Sequence, residues 1–542
     1  MLFNSFEFVR DFLPLTVIGF FLISRRGSRP LGIDYLLAAS MFFYAWWNFW
    51  YLLLILPPAV IRFFFPSARF DARALAIAYL SAASMFFYAW WNPWYLLLIL
   101  AEVVFNFLLG RQLARPDLAP RARLLLTVFG VATMLVVLGY FKYTYFILDI
   151  IRTSGGPAWS VGKIILPLGI SFHSFQQIAY LVDSYKRKAP RYGFGEYCLF
   201  VTFFPQLIAG PIVHHNEIMP QLQSTALLRP RALNLTLGLA IFSVGLFKKT
   251  VIADGLAQIA SPMFNAAATG TQLLPYEAWA AAIAWSLQLY FDFSAYSDMA
   301  IGLARLFNIR LPANFYSPYR ATNIADFWRR WHMTLSRFLR NYLYIPLGGN
   351  RRGRARQLAN LMITMLLGGL WHGAGWTFVL WGGMHGLYLV IHRLWTLAVP
   401  PAVGVWDLRL RRLLGWLVTM LAVIVAWVFF RAADYHTARA ILASMAGLQE
   451  GARGTFEDLV HDGFALIVAS GLIAVLMPNV IDIFRRYRPA LLPAMELRRI
   501  NAVLRLLQWR PRPWVGIGIG AIAACGLVAI LGWQSEFLYF QF

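Results

Sequence analysis

The residue best placed for chemistry is a histidine inside an apolar stretch. His372 lies in Leu366–His385, LLGGLWHGAGWTFVLWGGMH, and no Asp, Glu, Lys or Arg occurs between Arg356 and Arg393. An ionisable side chain at membrane depth is costly, and by default it marks a functional site. A neutral imidazole there is a general base able to take a proton from an attacking hydroxyl. Gly368, Gly369, Gly373 and Gly375 thin the wall around it. Small residues let helices approach closely, and they also leave room for a thin ligand chain. Two readings stay open for His372: a base in a dry tunnel, or a core histidine bonded to a backbone carbonyl.

A second histidine, His332, lies in WRRWHMTLSRFLR. The stretch Asn323–Tyr342 has helical character, with Asn323 or Thr322 as its cap and Asp326 in its first turns. On one continuous helix Trp328, His332, Leu335/Ser336 and Leu339 share a stripe, flanked by Arg329, Arg330, Arg337 and Arg340. This fits an interfacial helix with snorkelling arginines, and equally a polar group offered to the core while arginines hold phosphates. His385 follows His372 by thirteen residues. A continuous helix would point it away, so it is expected to pack or support. His173, His214 and His215 rank lower, because neither H-x-x-x-H nor H-E-x-x-H occurs and no metal site is expected. Asp292 and Asp298, in LYFDFSAYSDMAIG, are expected to pair with arginines of the next segment, such as Arg305 or Arg310. The other reading for them is a carboxylate supporting the site or a proton path. No G-x-S-x-G elbow, Walker loop or Rossmann fingerprint is present.

The elements that must position these residues are membrane helices. Of 542 residues, 60% are hydrophobic and 13% charged, whereas a soluble chain carries about 25% charged residues. Apolar runs occupy Leu13–Ser24, Tyr35–Ile61, Ala74–Gly110, Leu124–Ile151, Glu196–Val213, Leu233–Ile252, Ala278–Phe291, Leu358–Ile391, Leu413–Phe430, Phe464–Met477 and Trp514–Trp533. A span needs about 20 apolar residues, so the longest runs hold two helices; this predicts an all-α polytopic protein of about 11 to 13 spans with re-entrant or interfacial pieces. The net charge of +24 gathers at Arg25/Arg26, Arg111–Arg123, Lys186–Arg191, Arg305–Arg356, Arg409–Arg412 and Arg485–Arg512. These clusters mark cytoplasmic loops at lipid headgroups rather than a nucleic-acid surface, since no basic–aromatic reader motif accompanies them. Cys198 and Cys525 provide neither a disulfide framework nor zinc spacing. The N-terminal run reads as an uncleaved anchor with its N-terminus outside and Arg25/Arg26 inside.

The chain also contains a repeat. Ala38–Leu56, AASMFFYAWWNFWYLLLIL, recurs as Ala82–Leu100 with Phe49 replaced by Pro93. Such identity points to a recent tandem duplication or an error in the recorded sequence. If each copy is one crossing, the basic loops Arg62–Arg73 and Arg111–Arg123 fall on opposite sides, so one copy is expected to be re-entrant. The pairs Trp46/Trp47 and Trp90/Trp91 suit a membrane interface. Residues 304–356 are the least hydrophobic region; Pro312, Pro318, Pro346 and Gly348/Gly349 divide it into short helices and turns lying in or dipping from the cytosolic interface.

Several stretches together resemble the MBOAT (membrane-bound O-acyltransferase) family, most closely its bacterial alginate O-acetylation branch. They are LPLGISFHSFQQIAYLVDSYK, FFPQLIAGPIV, YFDFSAYSDMAIGLARLFNI, NFYSPYRATNIADFWRRWHMTLSRFLRNYLYIPLGGNR, GGLWHGAGWTFVLWGGMHG, WVFFR and the terminal FLYFQF. The family pattern has one YAWWNPWY, which the copy containing Pro93 fits. The resemblance implies helices ringing a central tunnel, with His372 and His332 as the catalytic pair near its constriction. It implies one integral-membrane domain over 1–542, with an anchor (1–34), the duplicated region (35–109), a catalytic core (165–395) and C-terminal helices (396–542). In that frame acetyl-CoA, or another activated acetyl donor, is a co-substrate and no cofactor is resident. Its phosphates are expected to meet Arg329, Arg330 and Arg337. A periplasmic partner is expected to complete acetylation of an extracytoplasmic polysaccharide, with the protein in the bacterial inner membrane among its lipids. The alternatives are a transporter of acyl groups or lipid-linked sugars, or a family enzyme acting on peptidoglycan, cellulose or teichoic acid.

Overall fold

The computed structural model describes residues 3–24, 71–90, 92–229, 231–400, 404–449, 455–492, 505, 507–532 and 538. The first copy of the repeat, Arg25/Arg26 and the loop before Asp71 lie outside the described residues.

A π turn, Phe8–Phe12, leads into α1 (Leu13–Ser24). The aromatic side chains that open this segment are core residues: Phe3 stacks on Tyr296 at 4.6 Å, and Phe12 meets Phe204 edge-on at 5.2 Å. The second copy of the repeat is not one crossing. It divides between α2 (Ala72–Ala89) and α3 (Pro93–Leu113), because Pro93 cannot donate within a helix and Asn92 caps the new one by accepting from Trp94 N. As a hairpin, the repeat returns the chain to the side it left, so residues 71–73 and the basic loop after Leu113 share a face. The side conflict expected from single crossings therefore does not arise at this copy.

α4 (Pro120–Thr153) crosses next, and α5 (Ile170–Tyr185) returns. The Tyr95 hydroxyl at the start of α3 donates to Ile165 O in the loop between α4 and α5, at 2.7 Å. At the other end Arg123 reaches back to Arg115 O at 3.2 Å. Loop 154–169 thus lies on one face, and Arg115, Arg121 and Lys186–Arg191 on the other. The run Glu196–Val213 is not one helix: α6 (Phe194–Thr202) stops at Phe203, Pro205 opens one further turn, and the chain is irregular until α7 (His215–Leu222).

α8 (Ala232–Phe247) continues through a π turn, Lys248–Ala253, into α9 (Asp254–Ala268). It packs along α10 (Pro275–Leu306), which is buried over most of its length. A buried helix carrying Asp292 and Asp298 needs counter-charges. Lys248 Nζ lies 2.7 Å from Asp298, while Lys249 lies 2.7 Å from Asp292 and 2.6 Å from Asp254. The partners are thus these two lysines and not Arg305 or Arg310. A π turn carries an extra residue in the helical register, and here it places two consecutive lysines against one neighbour. Arg305 instead donates to Tyr487 O at 3.0 Å.

Residues 311–321 are largely buried and irregular, followed by α11 (Ile324–Arg330) and α12 (Met333–Leu339). The first part of the least hydrophobic segment, to Leu339, therefore dips into the protein core, while residues 340–356 are mostly half-buried or exposed. Then come α13 (Arg354–His372) and α14 (Trp376–Ala398), a tight antiparallel hairpin. Gly369 and Gly382 are where its two backbones touch: a Cβ on Gly369 would sit 2.3 Å from Phe378 O, and one on Gly382 2.4 Å from Met365 O. α15 (Gly404–Arg431), α16 (Tyr435–Met445), α17 (Glu457–Leu476) and α18 (Pro513–Gly532) complete the described helices that matter here.

Among the described residues six helices are long and apolar enough to cross a membrane: Pro93–Leu113, Pro120–Thr153, Ala232–Ala268, Gly404–Arg431, Glu457–Leu476 and Pro513–Leu531. α10, α13 and α14 are not among them. These three carry Asp292, Asp298, the close-packed Gly369 and Gly382, and the buried His372 and His385. The protein is an all-α, multi-pass membrane protein.

The two faces can be tested with a membrane-impermeant thiol reagent in a Cys525→Ser background. Asp117→Cys and Lys188→Cys should label from the same, cytosolic side, and Trp159→Cys only from the opposite side. Labelling of Asp117→Cys and Lys188→Cys from different sides would refute this arrangement.

Candidate active site

His332 does not sit within a helix. α11 ends as Trp331 N donates to Phe327 O at 2.8 Å, and His332 takes the left-handed conformation (φ 43°, ψ 53°) before α12 begins. The continuous stripe Trp328–His332–Leu339 is therefore broken at the histidine itself. A non-glycine residue in this region costs roughly 1–3 kcal/mol and persists only where its surroundings impose it.

Here the imposing residue is Asn314. Its carbonyl accepts from Met333 N at 2.9 Å, and its side-chain oxygen accepts from Thr334 Oγ1 at 2.9 Å. The same side-chain oxygen lies 3.1 Å from His332 Nδ1, while Asn314 Nδ2 donates to Ser297 Oγ of α10 at 3.2 Å. With the amide in this sense, Nδ1 of His332 carries the proton and Nε2 is the lone-pair nitrogen. His332 is fully buried, with Phe293 edge-on at 4.7 Å.

His372 is the last residue of α13, and Gly373 leaves the helix extended. The turn needs glycine for space: a Cβ on Gly373 would meet the Phe378 ring at 2.1 Å. Trp371, Trp381 and Phe430 surround the imidazole at centroid distances of 4.9, 5.0 and 5.3 Å. The break at Gly373–Gly375 also overturns the premise that one helix carries His372 and His385 apart. The hairpin brings His385 back to the far side of Trp381, at 4.8 Å, where it is fully buried beside Trp328 at 5.2 Å. It packs there, as expected, for a different geometric reason.

The two candidate catalytic histidines, forty residues apart in sequence, come together. Their ring centroids are 6.4 Å apart and their planes inclined at 63°. That is too far for a nitrogen-to-nitrogen hydrogen bond, and it is a spacing that admits a reacting oxygen between them. A cavity reaches His372 from the face of loop 154–169. It is lined by Lys142, Leu166, Pro167, Gly169–Phe172, Ile208, Ala209, Trp371 and His372, with an empty volume of about 400 Å³ including its open mouth.

Toward the opposite, basic face runs a column of aromatic rings. Trp371 stacks on Phe175 at 5.4 Å, Phe175 on Phe338 at 4.1 Å, and Phe338 lies 5.0 Å from Tyr342. The column ends in a polar cluster. Tyr342 OH donates to Asp183 Oδ2 at 2.8 Å, and His215 Nε2 lies 3.2 Å from the same oxygen. His214 Nδ1 is 3.3 Å from the Tyr342 hydroxyl. Burial first, and the Arg337 cation next, push the pKa of His214 down to about 4, so it is neutral at physiological pH. His173 lies elsewhere, with Nδ1 2.9 Å from Glu102 Oε2.

The three arginines expected at the donor's phosphates do not form one cluster. Arg337 makes a two-pronged pair with Glu217 at 2.6 and 2.9 Å. Arg330 pairs with Asp326 at 2.9 Å, and Arg329 is exposed. Arg337 adjoins the His214 cluster, whereas a phosphate at Arg330 would have to compete with its own carboxylate.

Sequence reasoning passed over Asn314 and Lys142. Asn314, within LPANFYSP, carried no spacing signal. Lys142 did carry one, as a charge inside the apolar run Leu124–Ile151.

Comparison with known proteins gives the family. The model of the MBOAT, membrane-bound O-acyltransferase, family matches residues 140–432, which include both histidines. The chain is 40% identical over 474 residues to the peptidoglycan O-acetyltransferase of Helicobacter pylori, covering 83% of this chain and 80% of that protein. It is 38% identical over 444 residues to the probable alginate O-acetylase AlgI of Pseudomonas aeruginosa, covering 81% and 73%. With the probable alginate O-acetylase AlgI of Pseudomonas putida it shares 34% identity over 554 residues, covering 100% of both. The chain belongs to the membrane-bound O-acyltransferase family, and it is an acyltransferase.

Asn314→Ala should lower acyl-transfer turnover by about 10²-fold, the lower end of what a misplaced acid–base group costs. Protein recovered in the membrane should stay near the wild-type level. Turnover within twofold of wild type would show that the amide does not set His332.

Proposed function

We propose that this protein moves an acetyl group from a cytosolic donor to a hydroxyl of an extracytoplasmic polysaccharide, alginate or a similar polymer. The observation that carries the reading is the meeting of His332 and His372, 6.4 Å apart, between a cavity open to one face and an aromatic column leading to the other. The donor is acetyl-CoA or another activated acetyl group. It enters from the basic face, near Tyr342 and Arg337, and its thin acyl-bearing arm follows the column. The acceptor, a sugar hydroxyl or the hydroxyl of a periplasmic partner that relays the group, enters the cavity beside Lys142 and His372. The membrane is the bacterial inner membrane.

Chemically the step is acyl transfer. The acceptor oxygen attacks the thioester carbonyl as His372 takes its proton. A carbon–oxygen bond forms, the carbon–sulfur bond breaks, and the imidazolium returns the proton to the departing thiolate. The products are an ester and a free thiol. His332 orients the donor: its Nδ1 is committed to Asn314, so its Nε2 accepts a hydrogen bond from whatever the site holds. Dry, aromatic walls strengthen these contacts and keep water from the thioester.

A second acceptor has a specific observation in its favour. The 40% identity over 83% of the chain to a peptidoglycan O-acetyltransferase supports the peptidoglycan glycan as the polymer. Both readings require the same chemistry at the histidines.

His372→Ala should abolish acetyl incorporation from labelled acetyl-CoA, by about 10²-fold or more, with the protein still in the membrane. Retained acetylation would sink the assignment. Analysis of wild-type products, O-acetyl sugars of exopolysaccharide against O-acetyl muropeptides, decides the acceptor.

A further inference from the structure

The end of α13 raises a problem that the hairpin itself does not solve. The last carbonyls of a helix have no donors within it, and hydrocarbon surroundings provide no water in their place. A glycine in the left-handed conformation often closes such an end, but Gly373 and Gly375 are extended here, with φ of −157° and −167°. The donors come from α4 instead. Tyr143 OH donates to Leu370 O at 2.8 Å. Lys142 Nζ donates to Trp371 O at 2.5 Å and to His372 O at 3.0 Å. Two adjacent residues of one helix thus hold the final three carbonyls of another.

We infer that Lys142 is a positioning residue for His372: it closes the end of α13 and so fixes the imidazole at the wall of the acceptor cavity. This rests on the reading of His372 as the base. The argument for a lysine here is geometric. Its Nζ carries at least two N–H donors at one point, so a single side chain serves two successive carbonyls. A hydroxyl such as that of Tyr143 has one proton to donate and serves one. Without Lys142, Trp371 O and His372 O are left to find other partners at the cavity. The last turn then unwinds toward Gly373, and the imidazole leaves its place opposite His332. Displacements of about 1 Å in a reacting group cost about 10²-fold in rate. The lysine meets the donor column only at its first ring, Trp371, with Nζ 5.8 Å from the ring centroid, so its removal is expected to act on turnover rather than on donor affinity.

The test uses the full chain in membrane vesicles and in lipid nanodiscs, as wild type, Lys142→Met and Lys142→Arg. Vesicles receive labelled acetyl-CoA, and acetyl transfer is resolved into kcat and KM for acetyl-CoA. Nanodiscs are used for amide hydrogen exchange over residues 366–376. Lys142→Met should lose about 10²-fold in kcat with KM for acetyl-CoA within about twofold. Exchange of the 371–376 amides should accelerate about tenfold or more as the turn opens. Lys142→Arg, which keeps a multidentate cation, should recover most of both.

Unchanged kcat and exchange in Lys142→Met would overturn the inference. So would a loss that appears in KM alone, or a loss spread evenly over exchange throughout the protein, the mark of general unfolding. If wild-type vesicles transfer no acetyl group, the proposed function fails on its own. The exchange result still decides whether Lys142 holds the end of α13.

Discussion

Lysine–aspartate pairs at the centre of the protein hold up the rest of it. Asp292 and Asp298 lie on α10, a long helix buried over most of its length, and Lys249 and Lys248 meet them at 2.7 Å each. Removing one partner of a buried pair costs about 3–5 kcal/mol, because the other is left charged without compensation. Away from water that penalty has few escapes, so α8, α9 and α10 are bound into one unit. The site hangs on the same helix. Phe293 flanks His332, Ser297 accepts from the amide of Asn314, and the carbonyl of Ser286 receives the Tyr319 hydroxyl at 2.5 Å.

Around that axis the protein solves a second problem, holding irregular backbone at membrane depth. Residues 311–321, the left-handed His332 and the glycine turn after His372 all expose peptide groups that a continuous helix would satisfy. Non-helical backbone is tolerated there only where it is buried in protein or lines a cavity. Each irregular stretch here has dedicated partners: Asn314 at His332, Lys142 and Tyr143 at His372, and Leu491, bonded to Ala313 N at 2.8 Å, at the buried segment. These breaks are also where the histidines sit. A helix presents side chains at fixed angles, whereas a break can aim one wherever its partners hold it.

The two faces then have distinct chemistry. One carries the basic stretches Arg111–Arg123 and Lys186–Arg191, with Asp183, His214, His215 and Tyr342 at the foot of an aromatic column. The other opens through a cavity between the Leu166–Phe172 segment and the end of α13. The proposed acyl transfer uses this asymmetry, since in it the activated donor and the hydroxyl acceptor come from opposite sides and meet at one carbonyl carbon.

Much of this was legible in the residues alone. The apolar runs determine an all-α membrane protein, the basic clusters gather on one of its faces, and an uncharged stretch around one histidine marks the candidate site. The family motifs pointed to His332 as well. These are local signals: hydropathy, loop charge and motif spacing are written in neighbouring residues. The tertiary structure decided what depends on distant partners. It broke the helix at His332, because Asn314, eighteen residues earlier, takes the hydrogen bonds that a helical turn would have used. It turned the chain at Gly373 and brought His385 back behind Trp381. It gave Asp292 and Asp298 lysines rather than arginines, because a π turn placed Lys248 and Lys249 against α10. And it set Lys142 at the end of α13, more than two hundred residues away in sequence. The charge of Lys142 was visible in the sequence, but the carbonyls it serves come together only when the helices pack.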